Sequence, residues 1–189
     1  MKAYQHERRE NAIAYIAKRH KMATGTYPYQ THLYKYLGMF EYRCLRQLGY
    51  LPLGYRYRAM ENGPVPMELY DGREARKTEH YEFRNEGESR YGIHPLIPAN
   101  LDYFSEDEIR ILDKLIRDLT RDRRRFGTRA FSNQSHEEIR AWREAWERSP
   151  NAVMNPDDEF DNLGYSSDRD LTPAEEHFLI ERALESAGR

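Results

Sequence analysis

The sequence lacks most of the features that mark secreted, membrane-spanning or disulfide-linked proteins. Cys44 is the single cysteine among 189 residues, so no intramolecular disulfide can form. No apolar run approaches the ~20 residues that a membrane span needs, and the segment from Met1 to Gly25 has no apolar stretch of the kind found in signal peptides. These absences predict a cytoplasmic protein that neither crosses nor enters a membrane.

An excess of charge of one sign is also missing. Thirty Lys and Arg residues stand against 32 Asp and Glu residues, which gives a formal net charge of −2. The protein as a whole therefore has no field that would attract nucleic acid or anionic lipid. Any contact of this kind would have to be local, and the one basic cluster that could make it is Arg121, Arg123, Arg124, Arg125 and Arg129.

Recognisable metal and cofactor motifs are absent too. The seven histidines include no HExxH pattern, and the glycines are too widely spaced for a phosphate-binding loop. The stretch from Asp157 to Asp168 has carboxylates at offsets resembling a calcium loop. However, Asn162 replaces the glycine of such a loop and Asp168 replaces its glutamate. We expect neither a metal nor a cofactor.

Several amphipathic helices are what the sequence does contain. Apolar residues at helical spacing predict one helix over Glu7–Lys21 and a longer one over Leu33–Leu48, where Cys44 would be a small core residue. Capping-box patterns predict three further helix starts. They lie at Ser105–Glu108, at Ser135–Glu138 and at Thr172–Glu175, the last opening a helix that could run to Ser186.

Short strands and one rigid corner lie between these helices. Alternation over Tyr55–Met60 predicts a strand, and two more are expected at 81–84 and 91–97, after a short helix over Met67–Arg76. In the corner, Gly63 can adopt a positive φ, while Pro64 and Pro66 fix their own φ angles and hold Val65 extended.

The chain is therefore predicted to be a mainly helical α+β single domain with a small antiparallel sheet and a C-terminal helical extension. The domain would cover residues 1–148. Residues 149–170 are predicted to be an acidic linker, because carboxylates dominate there and the helical pattern is lost. Residues 171–189 would carry the last helix.

A set of ordered motifs resembles the Panacea domain, also known as the SocA-like antitoxin domain. The set runs through Leu33–Leu37, Tyr57–Met60, Asn62–Pro66, Leu69–Asp71, Phe104–Glu108, Ser135–Glu137 and Ala141–Trp142. The most specific element is the corner of Gly63, Pro64, Val65 and Pro66, and the late motif contains His136 and Trp142. The resemblance covers roughly residues 7–148. It departs from the family in the short, charged stretch between Asp71 and Tyr81 and in the extension after Ser149.

The resemblance implies a bacterial or prophage-encoded antitoxin that neutralises a cognate toxin by direct protein binding. In one branch of the family the antitoxin is an adaptor that delivers its toxin to a cytoplasmic protease. The family supplies no catalytic residues to carry over, so a non-enzymatic protein is expected.

The corner and the residues beside it form the predicted partner-binding face, since a rigid segment loses little entropy on binding. The candidates are Tyr55, Tyr57, Met60, Val65, Met67 and Tyr70, with core or turn packing as the alternative for each. Two rival functions remain open. One is a DNA-contacting regulator or phage accessory protein that uses the arginine cluster, and the other is an enzyme that uses His136, a residue for which local packing is the simpler interpretation.

Overall fold

The computed structural model describes residues 4–72, 76–88, 90–121, 128–160, 163 and 170–187, with backbone only for 128–130. Within these residues the fold is mainly helical α+β, as predicted. The helices are α1 (Gln5–Thr24), α2 (Gln30–Leu48), α3 (Met67–Tyr70), α4 (Glu106–Thr120), α5 (Thr128–Glu138), α6 (Arg140–Arg148) and α7 (Pro173–Ala187). Two short 3₁₀ turns cover Leu101–Tyr103 and Pro156–Glu159.

The strands form two separate antiparallel hairpins instead of one sheet. They are β1 (Tyr57–Met60), β2 (Gly63–Pro66), β3 (Tyr81–Asn85) and β4 (Tyr91–Pro95). β1 pairs with β2 and β3 pairs with β4, in register from Tyr57 opposite Pro66 and from Tyr81 opposite Pro95. The predicted corner is thus itself a strand. The helix predicted over Met67–Arg76 is a single turn, α3.

Helix α2 is the centre of the core. It contacts α1, α4, α5, α7 and the strands β2 and β4. The predicted apolar face is buried, and Leu33, Leu37, Phe40 and Cys44 have no exposed surface. Burial also raises the pKa of the Cys44 thiol, so this residue packs as a small hydrophobe, as predicted.

Two of the three predicted capping boxes are present. In α4 the Glu108 backbone N–H donates to Ser105 Oγ at 3.2 Å and the Ser105 N–H donates to the Glu108 carboxylate at 2.7 Å. The same reciprocal pair opens α7, between Thr172 and Glu175, at 3.3 and 2.8 Å. These helix starts follow from local chemistry alone.

The prediction of a third capping box, at Ser135–Glu138, is wrong. Helix α5 begins at Thr128, so Ser135 lies near its C-terminal end, where the hydroxyl donates to the Ser132 carbonyl at 2.8 Å. The carboxylate that the box requires is held elsewhere, because Glu138 accepts from Arg43 of α2 at 2.5 and 2.8 Å. His136 is therefore in the last turn of a helix and not in the first, and the next helix, α6, starts at Arg140.

Part of the predicted acidic linker belongs to the folded domain. Residues Asn151–Met154 pair with β1 through the backbone, with Ala59 N–H donating to Ala152 O at 2.9 Å and Met154 N–H donating to Tyr57 O at 3.0 Å. The following turn buries Glu159, whose carboxylate accepts from Arg46 and from the Ala141 N–H at 2.9 Å. A linker is thus the wrong description for residues 151–160.

Helix α7 packs on the end of α2. Ala174 and Phe178 are buried, His177 Nδ1 lies 2.7 Å from the Leu48 carbonyl oxygen, and the Phe178 ring lies 5.1 Å from the Phe160 ring. Gly49 ends α2 with a φ of 84°, and a Cβ at this position would contact the Ala174 carbonyl oxygen. The first half of α7 thus covers the domain's own surface.

Candidate partner-binding surface

The first hairpin, β1–β2, presents the predicted corner, and its turn is fixed by the backbone conformation of Gly63. This residue has a φ of 116°, which L-amino acids rarely adopt. A Cβ at position 63 would also lie 2.7 Å from Ser135 Oγ, so α5 approaches the turn too closely for any side chain. Both constraints require glycine here, as the sequence predicted from the turn alone.

Helix α2 supports the other side of the corner. Pro64 packs directly on Gly38, where a Cβ would lie 2.7 Å from Pro64 Cγ. Gly38 was not predicted as a functional position, although a glycine in the middle of a long helix is the signal that could have identified it, because glycine there weakens the helix. The close approach explains why the sequence has glycine at this position.

Two side chains from α5 and α6 hold the turn between β1 and β2. The Ser132 hydroxyl donates to the Asn62 carbonyl at 3.1 Å, and Trp142 Nε1–H donates to the Met60 carbonyl at 3.2 Å. These bonds join residues that are 70 and 82 positions apart in the chain. The hairpin is therefore held rigidly, which favours binding because little freedom is lost.

His136 and Trp142, the two residues of the late motif, stack on each other. Their ring centroids are 3.7 Å apart with an interplanar angle of 4°, and Trp146 continues the stack at 5.6 Å from Trp142. Burial, and then the charge of Lys35, lower the pKa of His136. Its Nε2 is buried and has no hydrogen-bond partner among the described residues. This arrangement fits packing better than acid–base chemistry.

A buried polar cluster lies next to this stack, on α1 and α2. His20 Nδ1 is 3.0 Å from the Tyr36 hydroxyl, and the rings of His20 and His32 are 5.9 Å apart. His32 also contacts the Phe131 ring of α5 at 4.9 Å. Burial lowers the pKa of both histidines to about 4, and that of Lys35 to about 8. Both histidines are therefore neutral at pH 7 and act as core residues.

The structure divides the six predicted partner-contact residues into two groups. Tyr55 and Tyr57 lie in the core with 5% and 2% of their surface exposed, so for these two the packing alternative holds. Four residues are half-buried and reach the surface: Met60, Val65, Met67 and Tyr70. The strand alternation explains the division, because Tyr57 and Ala59 point inward while Arg58 and Met60 point outward.

Two residues of this surface were not predicted. Arg58 is exposed on β1, and Val153 is 58% exposed on the segment that pairs with β1. The signal available was weak: Ala152, Val153 and Met154 form a short apolar run inside an otherwise acidic stretch. Only the folded chain shows that this run forms an antiparallel bridge to β1 of the first hairpin.

The carboxylates of the predicted calcium-like stretch are engaged in ion pairs where the structure describes them. Asp157 pairs with Arg182, and Asp158 pairs with Arg148 at 2.7 Å. The described part of the chain contains no group of three or more His, Cys, Asp or Glu side chains that could hold a metal ion. Asp161, Asn162 and Asp168 lie outside the described residues.

The predicted basic cluster is mostly outside the described residues as well. Arg121 is exposed at the end of α4, whereas Arg123, Arg124 and Arg125 and the side chain of Arg129 are not described. The nucleic-acid hypothesis thus gains no structural support. Among the helices that the structure describes, none has the length and hydrophobicity of a bilayer-spanning segment.

Comparison with known proteins identifies the domain. The family model for the antitoxin SocA-like, Panacea domain matches residues 33–143, which is more than half of the chain. The match runs from α2 through both hairpins to α6, and it includes Gly63, His136 and Trp142. No curated protein and no solved structure matches the chain. The chain thus belongs to the SocA-like antitoxin family with a Panacea domain, as the sequence motifs predicted.

Proposed function

We propose that the protein is the antitoxin of a toxin–antitoxin pair and neutralises its cognate toxin by direct binding. The observation that carries this proposal is the match of the SocA-like antitoxin family to residues 33–143. That segment contains the whole first hairpin and the α5 and α6 residues that hold it. The family implies a toxin partner in general.

The first hairpin is the proposed contact. Half-buried Met60 and Val65 of the hairpin, with Met67 and Tyr70 of the adjoining helix α3, offer apolar and aromatic surface. The hairpin backbone beside them is already fixed by Ser132 and Trp142. Aromatic and methionine side chains on a rigid support are typical of protein interfaces. Binding would then block the toxin by covering its active surface, and no covalent step is needed.

The arrangement of the reactive side chains supports binding over catalysis. Cys44 is fully buried, and His136 stacks on Trp142 at the end of a helix. Within the part of the chain that the structure describes, neither residue stands in the set of nucleophile, base and orienting group that a catalytic site combines. We therefore propose that the protein is not an enzyme.

Co-expression with the product of the adjoining gene tests the proposal. Growth of bacteria that express the neighbour alone is compared with growth of bacteria that express both proteins, and the pair is then purified through a tag on this chain. Restored growth with a stable complex is the expected result. Restored growth with loss of the neighbour protein would indicate delivery to a protease, and a neighbour that stays toxic beside abundant, folded protein would contradict the proposal.

A matched pair of variants places the contact. Met67→Asp changes a half-buried residue of the proposed surface, while Met22→Asp changes a methionine that is 70% exposed at the end of α1. We expect the first variant to lose neutralisation and the second to keep it, with circular dichroism confirming that both are folded. Equal neutralisation by both variants would place the contact elsewhere on the molecule.

A further inference from the structure

The outward face of the first hairpin has a row of three residues, two from its strands and one from the segment that bridges to β1. Arg58 of β1 stands opposite Val65 of β2 on one side and opposite Val153 on the other. Side chains of directly opposed residues in antiparallel strands lie on the same face. The neighbours Tyr57 and Ala59 are buried on the opposite face, so the Arg58 row, defined as Val65, Arg58 and Val153, faces solvent.

The surface of the row is apolar on both sides of a central positive charge. Val153 is 58% exposed, Val65 is half-buried, and Met60 lies on the same face two residues from Arg58. An exposed valine at the edge of a sheet is an uncommon choice for a surface that only meets water, because edge positions usually carry charge. Apolar residues therefore lie on both sides of Arg58, as is typical of the central part of a protein interface.

The charge of Arg58 is not neutralised within the described part of the chain. Its guanidinium donates one hydrogen bond, from Nη1 to the Asn151 carbonyl at 3.3 Å, and it forms no ion pair with any described residue. Arg56, two residues earlier, instead faces Glu68 at 3.4 Å. A guanidinium has five N–H donors, so most of those of Arg58 remain available to a partner.

The chemistry of the row selects one kind of ligand. A carboxylate can accept two parallel hydrogen bonds from a guanidinium, and the valines on either side would remove water from the pair. Nucleic acid fits less well, because a phosphate backbone needs several cations and the positions beside Arg58 are valines.

We propose that the Arg58 row is the docking site for an acidic side chain of the cognate toxin, an Asp or Glu flanked by apolar residues. The inference rests on the proposed antitoxin function and adds the chemistry of the partner. It also gives a role to residues 151–154, which supply Val153 and hold Arg58 through Asn151.

The test measures binding of the full chain to the adjoining gene product by titration calorimetry. Arg58→Ala should raise Kd by about 30-fold or more, as is typical of a central arginine at an interface. The matched control is Arg117→Ala, which removes an exposed arginine from α4 that has no described ion pair either, and it should change Kd by less than about two-fold. Val153→Thr keeps the shape and strand preference of valine and should weaken binding by about ten-fold, because a hydroxyl replaces a methyl group that the bound partner would cover.

The outcomes separate this proposal from the function on which it rests. If the wild-type chain binds and neutralises the neighbour while Arg58→Ala binds as tightly as Arg117→Ala does, the docking proposal is overturned and the antitoxin function stands. A wild-type chain that neither binds nor neutralises overturns both. Loss of binding to a duplex DNA probe in Arg58→Ala, with unchanged binding to the neighbour, would assign the row to nucleic acid and overturn the proposal.

Genetic suppression gives a second measurement that does not depend on Kd. Arg58→Glu should abolish neutralisation, since two carboxylates would then face each other. Selection for restored growth should recover variants of the adjoining gene product in which an Asp or Glu is changed to Lys or Arg. Each such variant must still be toxic when it is expressed alone. Suppressors that never alter an acidic residue of the neighbour would contradict the proposed ion pair.

Discussion

The two hairpins have the same topology, but the charges on their surfaces are paired differently. In the second hairpin, β3–β4, the exposed arginines pair within the hairpin, Arg84 with Glu82 and Arg90 with Glu88 at 3.0 Å. His94 Nε2 also lies 3.1 Å from the Glu86 carboxylate. In the first hairpin, Arg58 is left without a described ion pair between two valines. A surface whose charges are already paired has little to offer a partner, and this difference in pairing is the basis for proposing the first hairpin as the contact.

Their attachment to the domain differs as well. The turn of the first hairpin is held by Ser132 and Trp142, and a Cβ at Gly63 would meet Ser135 Oγ at 2.7 Å. The turn of the second hairpin contains Gly87, and a Cβ there would have no atom within 4 Å. The first turn is thus fixed by tertiary contacts, whereas the second is fixed by its own backbone.

Lowering the pH should cause the largest loss of stability, and this loss should begin in the part of the core that supports the first hairpin. His20 and His32 have pKa values lowered to about 4, against ~6.5 in an unfolded chain, so the folded state binds fewer protons between these values. The stability that the two neutral rings contribute is present above pH 6.5 and is lost as the pH falls through 4. The loss is of the order of 3 kcal/mol per histidine at most.

Urea unfolding between pH 7 and pH 4 measures this loss. His32→Phe removes one titrating group beside Phe131 and should flatten the pH dependence. Amide exchange adds the comparison between hairpins, since α5 and β1 should lose protection at pH 4.5 before β3 and β4 do. Equal acceleration in both hairpins would show that the histidine cluster does not support the first one selectively.

Alanine at the two turn glycines should separate backbone strain from close approach. Gly63→Ala would place alanine at a positive φ and bring its Cβ too close to Ser135. We expect the free energy of unfolding to fall by about 2–4 kcal/mol. Gly87→Ala would place alanine at a φ of 96° with open space around its Cβ. Only the cost of the backbone conformation, about 1 kcal/mol, then remains. Denaturant unfolding of both variants gives the difference, and equal losses would mean that the contact with α5 is easily relieved.

Removal of one indole N–H should weaken the anchor of the first hairpin. Trp142→Phe leaves the Met60 carbonyl without its donor at 3.2 Å, which costs about 1–2 kcal/mol. Trp146→Phe is the control, because this residue is only half-buried at the end of the ring stack. Thermal unfolding should show the larger decrease in Tm for Trp142→Phe, and the reverse order would contradict the assigned role of the hydrogen bond.

The smallest effect is expected in the second hairpin. Arg84→Ala and Arg90→Ala each remove one exposed ion pair, and pairs of this kind contribute about 0–1 kcal/mol. Both variants should keep the Tm and the affinity for the adjoining gene product close to those of the wild type. A marked loss of affinity in either variant would move the partner surface to β3–β4.

Local patterns were enough to predict the elements that depend on neighbours in the chain. The apolar face of α2 and the capping boxes at Ser105 and Thr172 were confirmed, because spacing and caps act over three or four residues. The same pattern at Ser135 was wrong, since Glu138 is drawn away to Arg43 by an ion pair between residues 95 positions apart. The same capping-box pattern therefore begins a helix at Ser105 and Thr172 but not at Ser135.

The sequence by itself determined the family, the mainly helical α+β class and the glycine requirement at position 63, since ordered motifs, hydrophobic period and turn chemistry are all local properties. Only the tertiary structure decided which corner residues reach the surface. It buried Tyr55 and Tyr57, brought Val153 beside Arg58, and docked α7 on α2. The physical reason is that exposure and charge pairing depend on which distant segments meet, and the segment that bridges to β1 lies more than 90 residues beyond Arg58.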